Sequence, residues 1–133
     1  MIDIENEVFT PIAQSVRESF PGSFVTGEYV KAPSSFPHIS IVETDNYATA
    51  ARMDSSDTER YATIVYEINV YSNKTSGKKT ECKAILDLID KMMFSMNFRR
   101  LVKTPVPNME DATIYRMTAR YRAETDGEYI YRV

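Results

Sequence analysis

Between Glu59 and Met96 the apolar residues change period, and that change constrains the fold more than any other feature of the chain. Over 61–71 the even positions are Ala62, Ile64, Tyr66, Ile68 and Val70, with Thr63, Glu67 and Asn69 between them. An alternation of period two predicts a strand with one buried face. Ser72 to Gly77 then supplies turn residues. From Lys78 onward Cys82, Ile85, Leu86, Ile89, Met92, Met93 and Met96 recur every three or four residues, which predicts a helix over 78–96 with one apolar face. A strand that feeds such a helix makes the centre of an α+β domain. The expected sheet is mixed or largely antiparallel, with the amphipathic helix packed across it and an N-terminal helix alongside.

The remaining elements follow in order. Ile4, Val8, Ile12, Val16 and Phe20 form a helix face over about 3–19, with Asp3 as N-cap and Asp3, Glu5 and Glu7 at the positive end. Pro11 either kinks this helix or begins it after a Thr10 cap. Pro21-Gly22 ends it. Phe24–Lys31 reads as a short strand and His38–Thr44 as a second, the two pairing as a hairpin across a wide loop. Asp45–Thr58 has no sustained period and carries Asp45, Arg52, Asp54 and Asp57, so it is expected to be a partner-binding loop. Phe98–Val106 is a strand closed by Pro105 and Pro107. In the last long strand Thr113, Tyr115, Met117, Ala119, Tyr121 and Ala123 alternate with Ile114, Arg116, Thr118, Arg120 and Arg122, one face apolar and the other basic. Asp126-Gly127 signals a two-residue hairpin that sets Ile130 opposite Ala123 and Tyr131 opposite Arg122. The expected order is α-β-β-β-α-β-β-β. The core is Ile12, Val16, Ile39, Ile41, Ile64, Tyr66, Ile68, Val70, Ile85, Ile89, Met92, Met117, Ala119 and Tyr121.

The length of 133 residues suits a single domain, 1–133, with a core of its own. Net charge is -3, which predicts no bulk attraction to nucleic acid or to an anionic membrane. The charge is uneven along the chain. Residues 1–59 carry ten acidic and three basic side chains; residues 60–133 carry nine and thirteen. Copies could therefore attract one another head to tail, or the two halves could simply present differently solvated faces. Cys82 is the only cysteine and lies on the apolar helix face, as an inert buried thiol would. The acidic start Met1-Ile2-Asp3-Ile4-Glu5 does not resemble a signal peptide. No run approaches the roughly 20 apolar residues of a membrane span, so the expectation is a soluble intracellular protein.

Candidate chemistry is sparse. His38, the single histidine, lies two residues before Ser40, yet no Asp or Glu placement completes a triad; an ordinary hydrogen-bonded strand histidine is the simpler reading. Glu43, Asp45, Asp54, Asp57 and Glu59 offer oxygen ligands for a divalent cation and hence for a small metal-dependent nuclease, but their spacing matches no EF-hand. The nuclease strand pattern lacks its lysine at Glu67-Ile68-Asn69. Phosphate-loop and dinucleotide motifs do not occur. Arg99, Arg100, Lys103, Arg116, Arg120 and Arg122 suggest a nucleic-acid surface, but the tyrosines of the last long strand share its apolar face and cannot form a stacking platform. The row Arg116, Arg120, Arg122 is either a solvated outer face or a strip that meets a neighbouring subunit's carboxylates.

The succession of elements resembles the tail terminator (tail completion) proteins of long-tailed bacteriophages and prophages. The resemblance is carried by the helix ending at Phe20-Pro21 and by Pro37-His38-Ile39-Ser40-Ile41-Val42-Glu43. It continues through Tyr66-Glu67-Ile68-Asn69-Val70-Tyr71 running into the helix Lys79–Met96, through Asn97-Phe98-Arg99-Arg100, and through the arginine-bearing strand Ile114–Tyr121. It covers nearly the whole chain as a pattern of elements. It implies a non-enzymatic structural protein with no cofactor and no metal, acting in the neck of the virion after assembly in the bacterial host cytoplasm. The implied form is a ring, typically a hexamer, that caps the tail tube, stops its polymerisation and meets the head–tail connector or stopper protein. DNA would pass through its lumen without specific binding. Another head–tail neck component, a stopper or connector, is the neighbouring reading. Asp45, Arg52, Asp54, Asp57, Arg116, Arg120 and Arg122 are the candidate subunit or partner contacts.

Overall fold

The computed structural model describes residues 1–30, 32–48, 61–107 and 111–132. It is an α+β fold with elements in the order α1 (Glu5–Ser19), β1 (Phe24–Thr26), β2 (His38–Ala48), β3 (Ala62–Ser72), α2 (Lys78–Ser95), β4 (Arg99–Val106), β5 (Tyr115–Thr125) and β6 (Ile130–Tyr131). The strands form one mixed sheet in the order β1-β2-β3-β5-β4, with β6 continuing beside β5. β1 runs parallel to β2, and every other pair is antiparallel. The chain passes from β3 through α2 to β4, and β5 then inserts between those two strands. This leaves β4 at one edge of the sheet.

The apolar alternation of β3 finds its expected cover. Ile64, Tyr66, Ile68 and Val70 share a cluster with Ile39 and Ile41 from β2 and with Met117, Ala119 and Tyr121 from β5. Val8, Ile12 and Val16 of α1 and Cys82, Ile85, Leu86, Ile89 and Met93 of α2 close the cluster from the same side. Burying each large aliphatic chain contributes about 1.5–3 kcal/mol, so this layer is the main source of stability. Every residue expected in the core is buried except Met92, which is half-buried at its margin. Cys82 Sγ lies 3.6 Å from the Val70 carbonyl oxygen, and burial pushes its thiol pKa up to about 12. It is a packing residue, not a nucleophile.

Local signals fix the ends of the elements. Pro11 lies inside a continuous α1, on its exposed side. Ile4, not Asp3, occupies the N-cap position, although Asp3 Oδ1 still accepts the Glu5 amide at 3.0 Å. The turn between β3 and α2 is held by Glu81, which accepts the Ser72 hydroxyl at 2.6 Å and pairs with Lys74 at 3.3 Å. Gly77 takes φ +84° there, a left-handed conformation that glycine adopts without a Cβ clash. α2 ends in a Schellman arrangement: the Phe98 amide donates to Met93 O and the Asn97 amide to Phe94 O, with Asn97 at φ 67°.

Four expectations are corrected. The first two strands are not a hairpin. β1 ends at Thr26 and pairs with His38–Ser40 in parallel, because the eleven residues 27–37 return the chain to the same end of the sheet. The region expected to be a loop from Asp45 instead continues β2 to Ala48, past a bulge at Thr44; Arg52, Asp54 and Asp57 lie outside the described residues. β3 is buried on both faces rather than one. Finally, Ile130 pairs with Thr125 and Tyr131 with Glu124, two positions from the two-residue register. The turn is longer because Asp126 Oδ1 accepts the amides of Glu128 (2.9 Å) and Tyr129 (2.7 Å), folding four residues around one carboxylate. Tyr131 therefore does not stack on Arg122; its hydroxyl donates to Asp126 at 3.2 Å.

Candidate functional site

The face of the sheet away from the helices is organised in cross-strand rows. The first runs Phe24–His38–Tyr71–Arg116. Phe24 stacks on His38 with ring centroids 5.1 Å apart, Tyr71 meets His38 edge-on at 5.7 Å, and the Arg116 guanidinium lies 5.4 Å from the Tyr71 ring centre. Ser40, Asn69 and Thr118 form the next row. Asn69 is its hub: Oδ1 accepts Arg116 Nε at 3.0 Å and the Thr118 hydroxyl, while Nδ2 donates to Glu67 at 3.4 Å. Glu67 faces Arg120 across the strands at 4.0 Å. Asn69 is fully buried, on a face that carries neither helix of the described residues.

This arrangement places several of the candidate residues. Arg116 is hydrogen-bonded to Asn69, Arg120 lies 4.0 Å from Glu67 with its buried Nε making no hydrogen bond, and Arg122 Nε is likewise buried without a hydrogen-bond partner. The arginine row is thus anchored within the chain at its Arg116 end. Asp45 stands on the same face, exposed, near the far end of β2. His38 and Ser40 are each 1% exposed. The His38 ring nitrogens and Ser40 Oγ make no hydrogen bond, contrary to the expected ordinary strand histidine; aromatic contacts hold the ring instead. Burial alone moves the His38 pKa down. Among the described residues no group of three His, Cys, Asp or Glu side chains can hold a metal ion, and Asp54, Asp57 and Glu59 fall outside them.

Further charged side chains lie at the sheet edges. At one edge β4 is exposed along most of its length, with Leu101 and Val102 at 47% and 42%. It presents Arg99, Arg100 and Lys103. Arg100 bonds Asp90 at 3.3 Å, whose carboxylate also accepts the Tyr121 hydroxyl at 2.8 Å. Arg99 and Lys103 form no ion pair among the described residues. At the other edge β1 covers β2 only from His38 to Ser40, which leaves the far half of β2 without an outer strand among the described residues. Glu43 there has a buried oxygen, Oε1, without a hydrogen-bond partner, and its pKa is raised by burial and by the nearby Glu5 and Asp3, against a side-chain hydrogen bond from Asn46 that lowers it. The Tyr66 hydroxyl on the cross-strand neighbour of Glu43 is also unpartnered, and Tyr66 is fully buried. Sequence patterning had placed Glu43 among metal ligands and Arg99, Arg100 and Lys103 in a nucleic-acid patch. Their position on opposite edges emerges only from the strand order.

Among the described residues no helix is long and apolar enough to cross a membrane. Comparison of the chain with protein-family models gave no match, and comparison with curated proteins gave no significant match.

Proposed function

We propose that this chain is a structural ring protein of the tail-terminator type, a phage or prophage neck component. In this role it caps the tail tube, stops polymerisation and presents a surface to the head–tail connector. The observation that carries the reading is the opposition of the two sheet edges. A basic edge and an acidic edge on one molecule favour heterologous contacts, and heterologous contacts between identical copies generate rings when the rotation closes. The order of elements from Phe20-Pro21 to the strand Ile114–Tyr121 supplies the link to phage tails. Ring formation uses the chain as a building block in the virion neck, with the connector and the tube protein as its partners and the host cytoplasm as its place of assembly.

The test is capping. Polymerising tail tube protein is mixed with the purified chain, and tube ends are examined by electron microscopy. The reading predicts added density at one end of each tube and an arrest of elongation. Tubes that elongate unchanged, with bare ends, would overturn it.

A further inference from the structure

We propose that neighbouring copies join edge to edge, the β4 strand of one against the Glu43–Ala48 half of β2 in the next, with Arg99 facing Asp45 and with Lys103 and Glu43 on the same side of the joined sheet. This deepens the ring reading and rests on it for closure of the assembly.

The argument begins with what each edge lacks. Each leaves a run of backbone and side chains without a strand neighbour among the described residues. Each also keeps an exposed apolar side chain among its charges: Leu101 and Val102 on one, Tyr47, 52% exposed, on the other. Two copies could meet in three ways. β4 against β4 sets Arg99, Arg100 and Lys103 against themselves. β2 against β2 sets Glu43 and Asp45 against themselves, with Asp3 and Glu5 close by. Only β4 against β2 pairs opposite signs, and like charges juxtaposed across an interface are penalised. The edges also carry the features that discourage open-ended self-pairing: Lys103, a proline at 105 with no amide hydrogen, and bulges at Leu101 and Thr44.

Topology then fixes which residues meet. β3 is antiparallel to both β2 and β5, and β4 is antiparallel to β5, so β4 runs opposite to β2 within the sheet. A second copy rotated about an axis along the strands offers its β2 antiparallel to the first copy's β4, helix side continuing helix side. Glu43 pairs with Tyr66 and Lys103 with Ala119, both core residues, so Glu43 and Lys103 share the helix side. Asp45 pairs with Val65 and Arg99 with Arg122, so those two share the opposite side. Each acidic residue thus finds a basic one on its own side.

The test uses two cysteine variants, Asp45→Cys and Arg99→Cys, at exposed positions, with native Cys82 buried. Circular dichroism first confirms that both fold. A short bis-maleimide is then added to each variant alone, to the mixture, and to the double variant. The expected result is a cross-link in the mixture and none in either variant alone. The double variant should give a ladder that stops at one size. In parallel, Arg99→Glu should weaken association about tenfold, and mixing it with Asp45→Arg should restore it. A mixture that yields no cross-link, while the wild-type chain has one discrete mass above the monomer, overturns the edge assignment and leaves the ring reading standing. A ladder without an upper limit supports the contact and removes the ring. A wild-type chain that is monomeric and never cross-links overturns both.

Discussion

On one face of β3, Ile64, Tyr66, Ile68 and Val70 lie beneath two helices; on the other, Thr63, Val65, Asn69 and Tyr71 lie beneath none, yet all eight are buried. The first face is dry because apolar surface is stacked under apolar surface, a non-directional effect proportional to area. The second holds polar and aromatic side chains that contact one another across the strands, through Asn69, Tyr71 and Arg116. The first depends on volume, the second on partners. The same substitution logic should therefore fail when moved from one face to the other.

The largest break should come from volume on the helix side. Ile68→Ala removes a fully buried side chain at the centre of the cluster and should cost about 2–5 kcal/mol in a urea titration. A loss under 1 kcal/mol would mean the layer collapses freely around the gap. On the opposite face Asn69→Ala should cost about 1–3 kcal/mol, because it leaves the Arg116 and Thr118 donors without their shared acceptor. Replacing Asn69 and Thr118 together by apolar residues of similar shape should recover part of that loss, which volume alone would not predict.

Two tyrosines facing each other across β3 and β5 sharpen the contrast within the helix side. The Tyr121 hydroxyl donates to Asp90, whereas that of Tyr66 has no partner. Tyr121→Phe should therefore destabilise by about 1 kcal/mol, and Tyr66→Phe should stabilise or leave stability unchanged. Thermal melts of the two variants should move in opposite directions.

The smallest effect is set by pH. His38 is buried without hydrogen bonds, so its folded pKa lies below the ordinary 6.5. Below pH 6.5 the unfolded chain takes up a proton that the folded chain resists. Stability is therefore full above pH 6.5 and is lost as pH falls toward the lower folded value. His38→Phe, which keeps an aromatic ring between Phe24 and Tyr71, should flatten that part of the acid limb in pH-dependent melts. An unchanged slope would place the titrating group elsewhere.

The parts of this structure legible in the sequence are those governed by period. The alternation at 62–70 and the three-and-four spacing at 82–93 identified β3, α2 and the layer between them. Partner choice is not periodic. Phe24–Thr26 reads as extended, but nothing in those residues tells a parallel neighbour from an antiparallel one. Asn69 sits at a polar position of an alternating strand and so reads as solvated, although three cross-strand and local partners enclose it. The candidate surfaces were half legible. The charges of Arg99, Lys103, Glu43 and Asp45 are plain, but their placement on opposite edges depends on β5 inserting between β3 and β4, a consequence of pairing rather than of any local signal.

The mass of the purified chain by light scattering, across a concentration series and at two salt levels, tests the central claim most directly. A discrete multiple of the 15.3 kDa chain, reached as concentration rises and shifted to higher concentration by salt, is the predicted result. A monomer at every concentration, or growth with no limiting size, would contradict it.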